Sequence, residues 1–299
     1  MLVYIKLVLT AIFWGGTFVA GRVLAQEMGP FSAAFLRFLL ASIFLCLLVS
    51  RHEGRLPLLK RRELLLAVLL GLTGVFSYNA LFFSGLKTVT ASRASLIIAS
   101  NPVLIALCSA FFFKEKLYVS TLFGILFCVL GAVVVISRGN PLEIFRGSMG
   151  WGEVYIIGCV FSWTAYSLVG KVIMKNLAPM IAVTYSCLIG AVALSYPALL
   201  ENLSYTVTHC SLQAWMSIFY LGFFGSALGF WWYYEGIQMI GASRAAVFIN
   251  IVPVSAVLLA WLLLKETIDL SLLLGLVLVS SGLFLTNRKT ACSAHHIVE

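Results

Sequence analysis

Stretches of about 20 mostly apolar residues follow one another along almost the whole chain, with short polar breaks between them. A bilayer core about 30 Å thick requires a helix of roughly this length. Of the 299 residues, 62% are hydrophobic and 10% are charged, whereas a soluble domain is about a quarter charged. Long runs such as 117–136 do not alternate polar and apolar residues as barrel strands do. The sequence therefore predicts an all-α integral membrane protein.

Charged and turn residues divide these stretches into ten predicted transmembrane helices. The longest polar connections, 50–63 and 201–212, are too short to hold a soluble domain. The first stretch could pass for a secretory signal, but it has a counterpart at 151–173 inside the chain, so we interpret it as the first span. The predicted spans are 3–24, 31–49, 64–84, 91–113, 118–137, 151–173, 178–200, 213–235, 241–264 and 269–286.

The formal net charge of +9 comes from basic residues in the loops rather than on one soluble face, so no nucleic-acid partner is predicted. Thirteen Lys and Arg residues fall on one side of the predicted membrane and six on the other, with Arg37 alone inside a span. Basic loops stay cytoplasmic, which places both termini inside. The prediction is a multi-pass protein of the inner (cytoplasmic) membrane with a cytoplasmic tail at 291–299.

The two halves of the chain repeat one another. At an offset of 149 or 151 residues, the pairs that match include Trp14 with Trp163, Pro30 with Pro179, Ala91–Ala94 with Ala242–Ala245, Pro102 with Pro253, and Gly124 with Gly275. We predict five-helix repeats at 1–140 and 150–290. Because five is odd, the second repeat enters the membrane from the opposite side, and such inverted repeats are typical of transporters that work by alternating access.

Several short motifs occur in a fixed order: Trp14-Gly15-Gly16-Thr17-Phe18, Pro30 followed by Leu36-Arg37-Phe38, Ala91-Ser92 leading to Asn101-Pro102, and Lys114-Glu115. With them the chain resembles the drug/metabolite transporter superfamily, specifically its EamA-domain members. The second half keeps Trp163, Pro253 and Lys265-Glu266, while Ser186 replaces the arginine. The resemblance implies ten helices with cytoplasmic termini, a central cavity lined mainly by the first, third and fourth helices of each half, and often export of amino acids or related metabolites.

The sequence argues against two other functions. The four histidines lie in loops or the tail and no Asp or Glu lies at the centre of a span, so no enzyme, metal site or cofactor is predicted. No P-loop pattern is present, so ATP does not drive transport directly. The prediction is secondary transport of a small organic molecule, most simply amino acid efflux. Uptake or exchange of a nucleotide-like or cofactor metabolite, and a non-transporting membrane scaffold, stay open as alternatives, as does a homodimer instead of a monomer.

Polar and large aromatic side chains near the bilayer centre are the candidates for a substrate site, because lipid offers them no hydrogen-bond partner. Each has a structural alternative: ring packing for the tryptophans, a backbone hydrogen bond for Thr17, and repair of a proline kink for Asn101 and Asn250. The predicted substrate-binding residues are Trp14, Thr17, Tyr78, Asn79, Asn101, Trp163, Tyr166, Trp231 and Asn250.

Three charged groups have separate predictions. Arg37 lies about 10 Å inside its span and is predicted to make a structural or gating contact, or to act as the counter-ion if the substrate carries a carboxylate. Glu235 ends the eighth span and is predicted to form a salt bridge at the rim rather than a proton relay. Glu115 and Glu266 are predicted to pair with neighbouring lysines at helix ends.

Overall fold

The computed structural model describes residues 1–54, 56–114, 118–140 and 149–287, and in these residues the chain forms α- and π-helices and no strand. Ten long helices follow in order: α1 Leu2–Glu27, α2 Pro30–Glu53, α3 Arg61–Leu86, α4 Ala91–Phe113, α5 Val119–Ile136, α6 Trp151–Ile173, α7 Pro179–Leu200, α8 Leu212–Ile240, α9 Ala242–Ile249 with Ile251–Leu264, and α10 Leu270–Asn287. Their bounds agree with the ten predicted spans to within a few residues. The predicted tail and Glu115 lie outside the described residues.

Nine helices in the described ranges are long and apolar enough to cross a membrane, and α10 is apolar over the shorter stretch Leu270–Thr286. Two features of these helices were not predicted. The helices α3 and α8 each contain a π-helical segment, Gly71–Ser77 and Tyr220–Leu228. A short helix, Leu203–His209, lies in the connection between α7 and α8. The prediction of an all-helical membrane protein is confirmed.

Prolines and lysines mark equivalent helix ends in the two halves. Pro30 and Pro179 stand at the first positions of α2 and α7, where the missing N–H has no helical partner to lose. Lys114 and Lys265 follow α4 and α9 with φ of 55° and 54°, in the left-handed conformation that ends many helices. The repeat in the sequence is thus accompanied by a repeat in local backbone geometry.

Glycines allow α5 and α10 to pack at very short range. A Cβ atom on Gly282 would lie 2.7 Å from the carbonyl oxygen of Gly124, and one on Gly131 would lie 3.1 Å from that of Gly275. The two helices are antiparallel, since Gly124 lies beside Thr286 and Gly131 beside Val279. These glycines therefore bring two helices of the same chain into close contact.

Three carboxylates accept hydrogen bonds from the N-termini of helices that are distant in the chain. Glu201, at the end of α7, accepts from Ser32 N at 2.8 Å in α2. Glu27, at the end of α1, accepts from Ser211 N at 3.0 Å, just before α8. Glu266, which follows α9, is the third of these carboxylates and accepts hydrogen bonds at the start of α4. We call this end of the bundle the capped end, and negative charge there is stabilised by the helix dipoles.

The prediction for Glu266 as part of a lysine pair is wrong. Its carboxylate instead accepts from Ala91 N at 2.8 Å, Ser92 N at 3.0 Å and Ser92 Oγ at 2.6 Å. The reason is geometric: the left-handed turn at Lys265 directs the chain over the start of α4, where free backbone N–H groups need an acceptor.

Next to this cap, Arg93 Nη2 lies 2.7 Å from Asp269 Oδ2. Burial raises the pKa of Asp269, but hydrogen bonds from Leu272 N and Ser271 Oγ, together with the charge of Arg93, outweigh burial and leave the pKa below its usual value. The carboxylate is therefore ionised at neutral pH, and the ion pair joins α4 to the start of α10.

We expect Glu266→Ala to lower the free energy of unfolding by about 1–2 kcal/mol, because three donors at the start of α4 lose their acceptor. The measurement is the midpoint of thermal unfolding of the purified protein in detergent. Glu153→Ala is the matched control, since Glu153 caps only the start of its own helix, at Gly150 N, and is expected to cost less. Equal midpoints for the two variants would contradict the long-range cap.

Candidate functional site

A cavity of about 550 Å³ lies between the two halves of the bundle. Its lining combines residues of both halves and is mostly aromatic and aliphatic. Eight of the residues singled out in the sequence line it: Trp14, Thr17, Arg37, Tyr78, Asn79, Asn101, Trp163 and Tyr166. The helices that the family resemblance implied, α1, α3 and α4 and their counterparts α6, α8 and α9, all contribute.

Trp14 is fixed against α8. Its Nε1 donates a hydrogen bond to the carbonyl oxygen of Gly225 at 3.0 Å, within the π-helical segment. Its ring lies 5.1 Å from that of Tyr233 and 5.8 Å from that of Phe230. Thr17, one turn later, donates to the backbone oxygen of Trp14 at 2.6 Å, which is the alternative foreseen for its hydroxyl.

Trp163 is the centre of a second aromatic cluster, on α6. Its ring lies 5.3 Å from Tyr78 of α3 and 5.0 Å from Tyr166 of its own helix. Trp14 of the first half thus packs on the second half, and Trp163 of the second half packs on the first. A molecule in the cavity would meet one tryptophan from each half.

Arg37 joins the two π-helical segments inside the protein. Its Nη1 donates to Asn79 Oδ1 at 3.0 Å, and its Nε donates to Ser226 Oγ at 3.3 Å. Asn79 in turn donates to the oxygen of Val75 at 2.9 Å, and Ser226 to that of Leu221 at 3.0 Å. Asn79 and Ser226 thus connect Arg37 to backbone oxygens of the two π-helical segments. The predicted structural contact of Arg37 is present.

Asn101 lies at a break in α4, between Ile98 and Pro102, and α9 breaks at the equivalent place before Pro253. At the break, Ser100 Oγ donates to the oxygen of Ile97 at 2.6 Å. The environment of the Asn101 side chain differs from that of Ser100. Asn101 is 8% exposed, lines the cavity, and its Oδ1 has no hydrogen-bond partner among the described residues. An unpaired buried polar atom is costly, which marks this oxygen as a place for a ligand donor.

Glu235, Trp231 and Asn250 do not line the cavity. Glu235 forms the predicted rim salt bridge, with Lys6 Nζ at 2.7 Å. On the same helices, the cavity is lined instead by Phe230, Tyr233 and Tyr234 of α8 and by Ile249, Val252 and Pro253 of α9.

Tyr233 and Ser226 are functional candidates that the sequence interpretation missed. The 3–4 residue spacing of Phe230, Tyr233 and Tyr234 places these three on one helical face, which is a signal the sequence does carry. Ser226 gives no such signal, because its role depends on Arg37 almost two hundred positions earlier. Across the part of the chain that the structure describes, no three His, Cys, Asp or Glu side chains group as a metal site would require.

The cavity extends toward the end of the bundle opposite the capped end. Lys171 and Met174, at the end of α6, line it there. Toward the capped end, the rings of Phe18 and Phe82 meet edge to face with centroids 5.5 Å apart. Phe82 is 2% exposed. This ring pair lines the cavity on the side of Trp14 that is nearer to the capped end.

Comparison with known proteins agrees with this architecture. The model of the EamA-like transporter family matches residues 1–137 and again residues 150–288. An uncharacterized transporter of Bacillus subtilis (strain 168), YyaM, is 31% identical over 280 residues, which cover 94% of this chain and 92% of the relative. An uncharacterized transporter of Archaeoglobus fulgidus is 28% identical over 286 residues, with 96% and 97% covered.

The fold also occurs among solved structures. One crystal structure of a protein with 20% sequence identity superposes with a TM-score of 0.65, over 93% of this chain and 94% of the other. At that identity the likeness concerns the fold alone. The family match covers nearly the whole chain, and the helices are those of a multi-pass membrane protein. The chain belongs to the EamA-like transporter family.

Proposed function

We propose that this protein is a secondary transporter that moves small organic metabolites across the cytoplasmic membrane by alternating access, with the central cavity as its substrate site. The observation that carries the proposal is the cavity itself, with one tryptophan cluster from each half. A cavity of about 550 Å³ is within the range of small-molecule sites.

The proposed arrangement is ten membrane-spanning helices in two inverted repeats, 1–140 and 150–290, with both termini cytoplasmic. The excess of basic residues on the loops at the end opposite the capped end supports this orientation. The cavity then faces the cytoplasm, and the capped end, with its carboxylate caps and the Phe18–Phe82 pair, is the closed outer side. A single chain surrounds the cavity, which supports a monomer as the working unit.

Amino acids or related metabolites leaving the cell are the proposed substrates. The many rings around the cavity suit an apolar or aromatic body, and Asn101 Oδ1 offers an acceptor. The alternative substrate is a nucleotide-like or cofactor metabolite, whose purine ring would stack between Trp14 and Trp163.

The test is flux in proteoliposomes with a pooled panel of labelled amino acids, nucleosides and cofactor metabolites, with and without an imposed pH gradient. We expect saturable uptake of at least one compound above protein-free vesicles. Flux of an adenine-bearing compound alone would replace amino acid efflux by the alternative. No flux of any compound, from protein that remains monodisperse, would contradict transport and favour a membrane scaffold.

A further inference from the structure

Arg37 is a buried cation that no described carboxylate neutralises. Its side chain is 9% exposed and its two hydrogen-bond partners, Asn79 and Ser226, are neutral. Carboxylates with described contacts are engaged elsewhere, in caps or ion pairs: Glu27, Glu63, Glu153, Glu201, Glu235, Glu266 and Asp269. The described residues that line the cavity include two cations, Arg37 and Lys171, and neither Asp nor Glu.

The guanidinium keeps donors free on the side that its partners do not occupy. Arg has five N–H groups in a planar fork, and the contacts to Asn79 and Ser226 use one on Nη1 and the one on Nε. The second N–H of Nη1 and both on Nη2 make no hydrogen bond to a described residue. Two parallel N–H groups on neighbouring nitrogens match the two oxygens of a carboxylate.

The burial of the Arg37 charge indicates which ligands the cavity favours. An uncompensated cation inside a membrane protein is unfavourable, and an anionic ligand that pairs with it gains more than it would in water. The hydrogen bonds to Asn79 and Ser226 hold the guanidinium in place before any ligand arrives. A cationic ligand would be repelled, and the ammonium group of a zwitterion would find no carboxylate among the described lining residues.

We propose that the cavity selects organic monoanions: a carboxylate pairs with the free edge of Arg37, and an apolar or aromatic body lies among the rings of Trp14, Tyr78 and Trp163. A donor on the ligand, where present, meets Asn101 Oδ1. This inference rests on the proposed transport function. Within the proposed class of amino acids and related metabolites, it favours the related carboxylates that lack an ammonium group over the amino acids themselves.

Three compounds that share a phenyl ring but differ in charge test which charged group of a ligand the cavity binds. Phenylacetate carries only a carboxylate, phenylalanine carries a carboxylate and an ammonium group, and phenethylamine carries only the ammonium group. Equilibrium binding of each labelled compound to the purified full chain in detergent at pH 7.5 avoids passive leakage of the weak acid through vesicles. We expect phenylacetate to bind about tenfold or more tightly than the other two. Phenethylamine cannot form the charge-assisted pair with Arg37, and phenylalanine must bury its ammonium group where no described lining residue is a carboxylate.

Variants test whether Arg37 is the cause. Arg37→Gln is expected to abolish the preference for phenylacetate, and Arg37→Lys, which keeps the charge but not the planar fork, to retain part of it. Lys87→Gln removes an exposed cation away from the cavity and is expected to bind as the wild type does. Thermal unfolding of each variant separates loss of binding from loss of fold, and the wild-type preference tests the proposal even if Arg37→Gln does not fold.

Tighter or equal binding of phenylalanine or phenethylamine, or no binding of phenylacetate at millimolar concentration, would overturn the inference. So would a folded Arg37→Gln protein that keeps the preference. The pooled flux panel, run on the same preparation, distinguishes this failure from a broader one. Flux of another compound there would leave transport standing without anion selection, whereas no flux at all would reject both proposals.

Discussion

Gly282→Val is expected to yield little or no monodisperse protein, and Gly282→Ala to lower the midpoint of thermal unfolding. Even the Cβ of alanine would lie 2.5 Å from Cys128 Sγ, 2.7 Å from the oxygen of Gly124 and 2.8 Å from Cys128 N. Two of these atoms belong to the backbone of α5, so neither helix can yield by turning a side chain. Overpacking of this kind costs about 1–3 kcal/mol for one or two methyl groups, and more when backbones must separate.

Gly170→Ala is the matched control for this prediction. Gly170 also lies inside a long helix, in the last turn of α6, but a Cβ there would meet nothing closer than 3.8 Å. Alanine favours helix over glycine by up to about 1 kcal/mol, so the control is expected to be as stable as the wild type or slightly more so. Size-exclusion profiles and unfolding midpoints in detergent give the comparison. Equal behaviour of the two alanine variants would show that α5 and α10 are not in close contact.

Trp163→Ala is expected to reduce flux of the compound identified in the pooled panel by about tenfold or more at subsaturating concentration. The change removes a large ring from the cavity wall and from contact with Tyr78 and Tyr166, and a lost aromatic surface of this size is worth about 1.5–3 kcal/mol of binding. The unfolding midpoint is expected to fall less than for Gly282→Ala, because the ring is only half buried.

Trp151→Ala provides the comparison on the same helix. Trp151 begins α6 and is 76% exposed, so its removal is expected to leave the flux unchanged. Trp163→Phe, which keeps a ring, is expected to retain part of the activity. If Trp163→Ala transports as well as Trp151→Ala does, the cavity is not the route of the substrate.

Hydropathy and charge made the helices predictable, because a membrane demands the same apolar length of every span. Trp14 and Trp163 were also predictable as cavity residues, because each places a large ring near the middle of its span at an equivalent position of the repeat. The π-helical segments were not. An all-round apolar helix carries no face pattern, so a local change from α to π turns leaves no mark on the sequence around Gly71 or Tyr220.

Contacts that depend on distant residues also escaped prediction. Glu266 stands next to Lys265 in the sequence, yet its acceptor role is set by α4, which begins 175 positions earlier at Ala91. In the sequence, Ser226 cannot be distinguished from other small residues, because its role depends on the contact with Arg37. In both cases the partner is chosen by how helices meet in three dimensions, which local spacing does not encode.

The packing of helices of the first half against helices of the second half has a consequence for how the chain folds. In the described structure the most extensive helix contacts join different halves: α5 with α10, α2 with α7, α1 with α9, and α3 with α6. Two fragments divided at 141–148 would each present a glycine-lined helix and an unmatched tryptophan to lipid. Neither fragment is a folding domain in the usual sense. Because residues of both halves line the cavity, it forms only when helices of the second half have packed against those of the first.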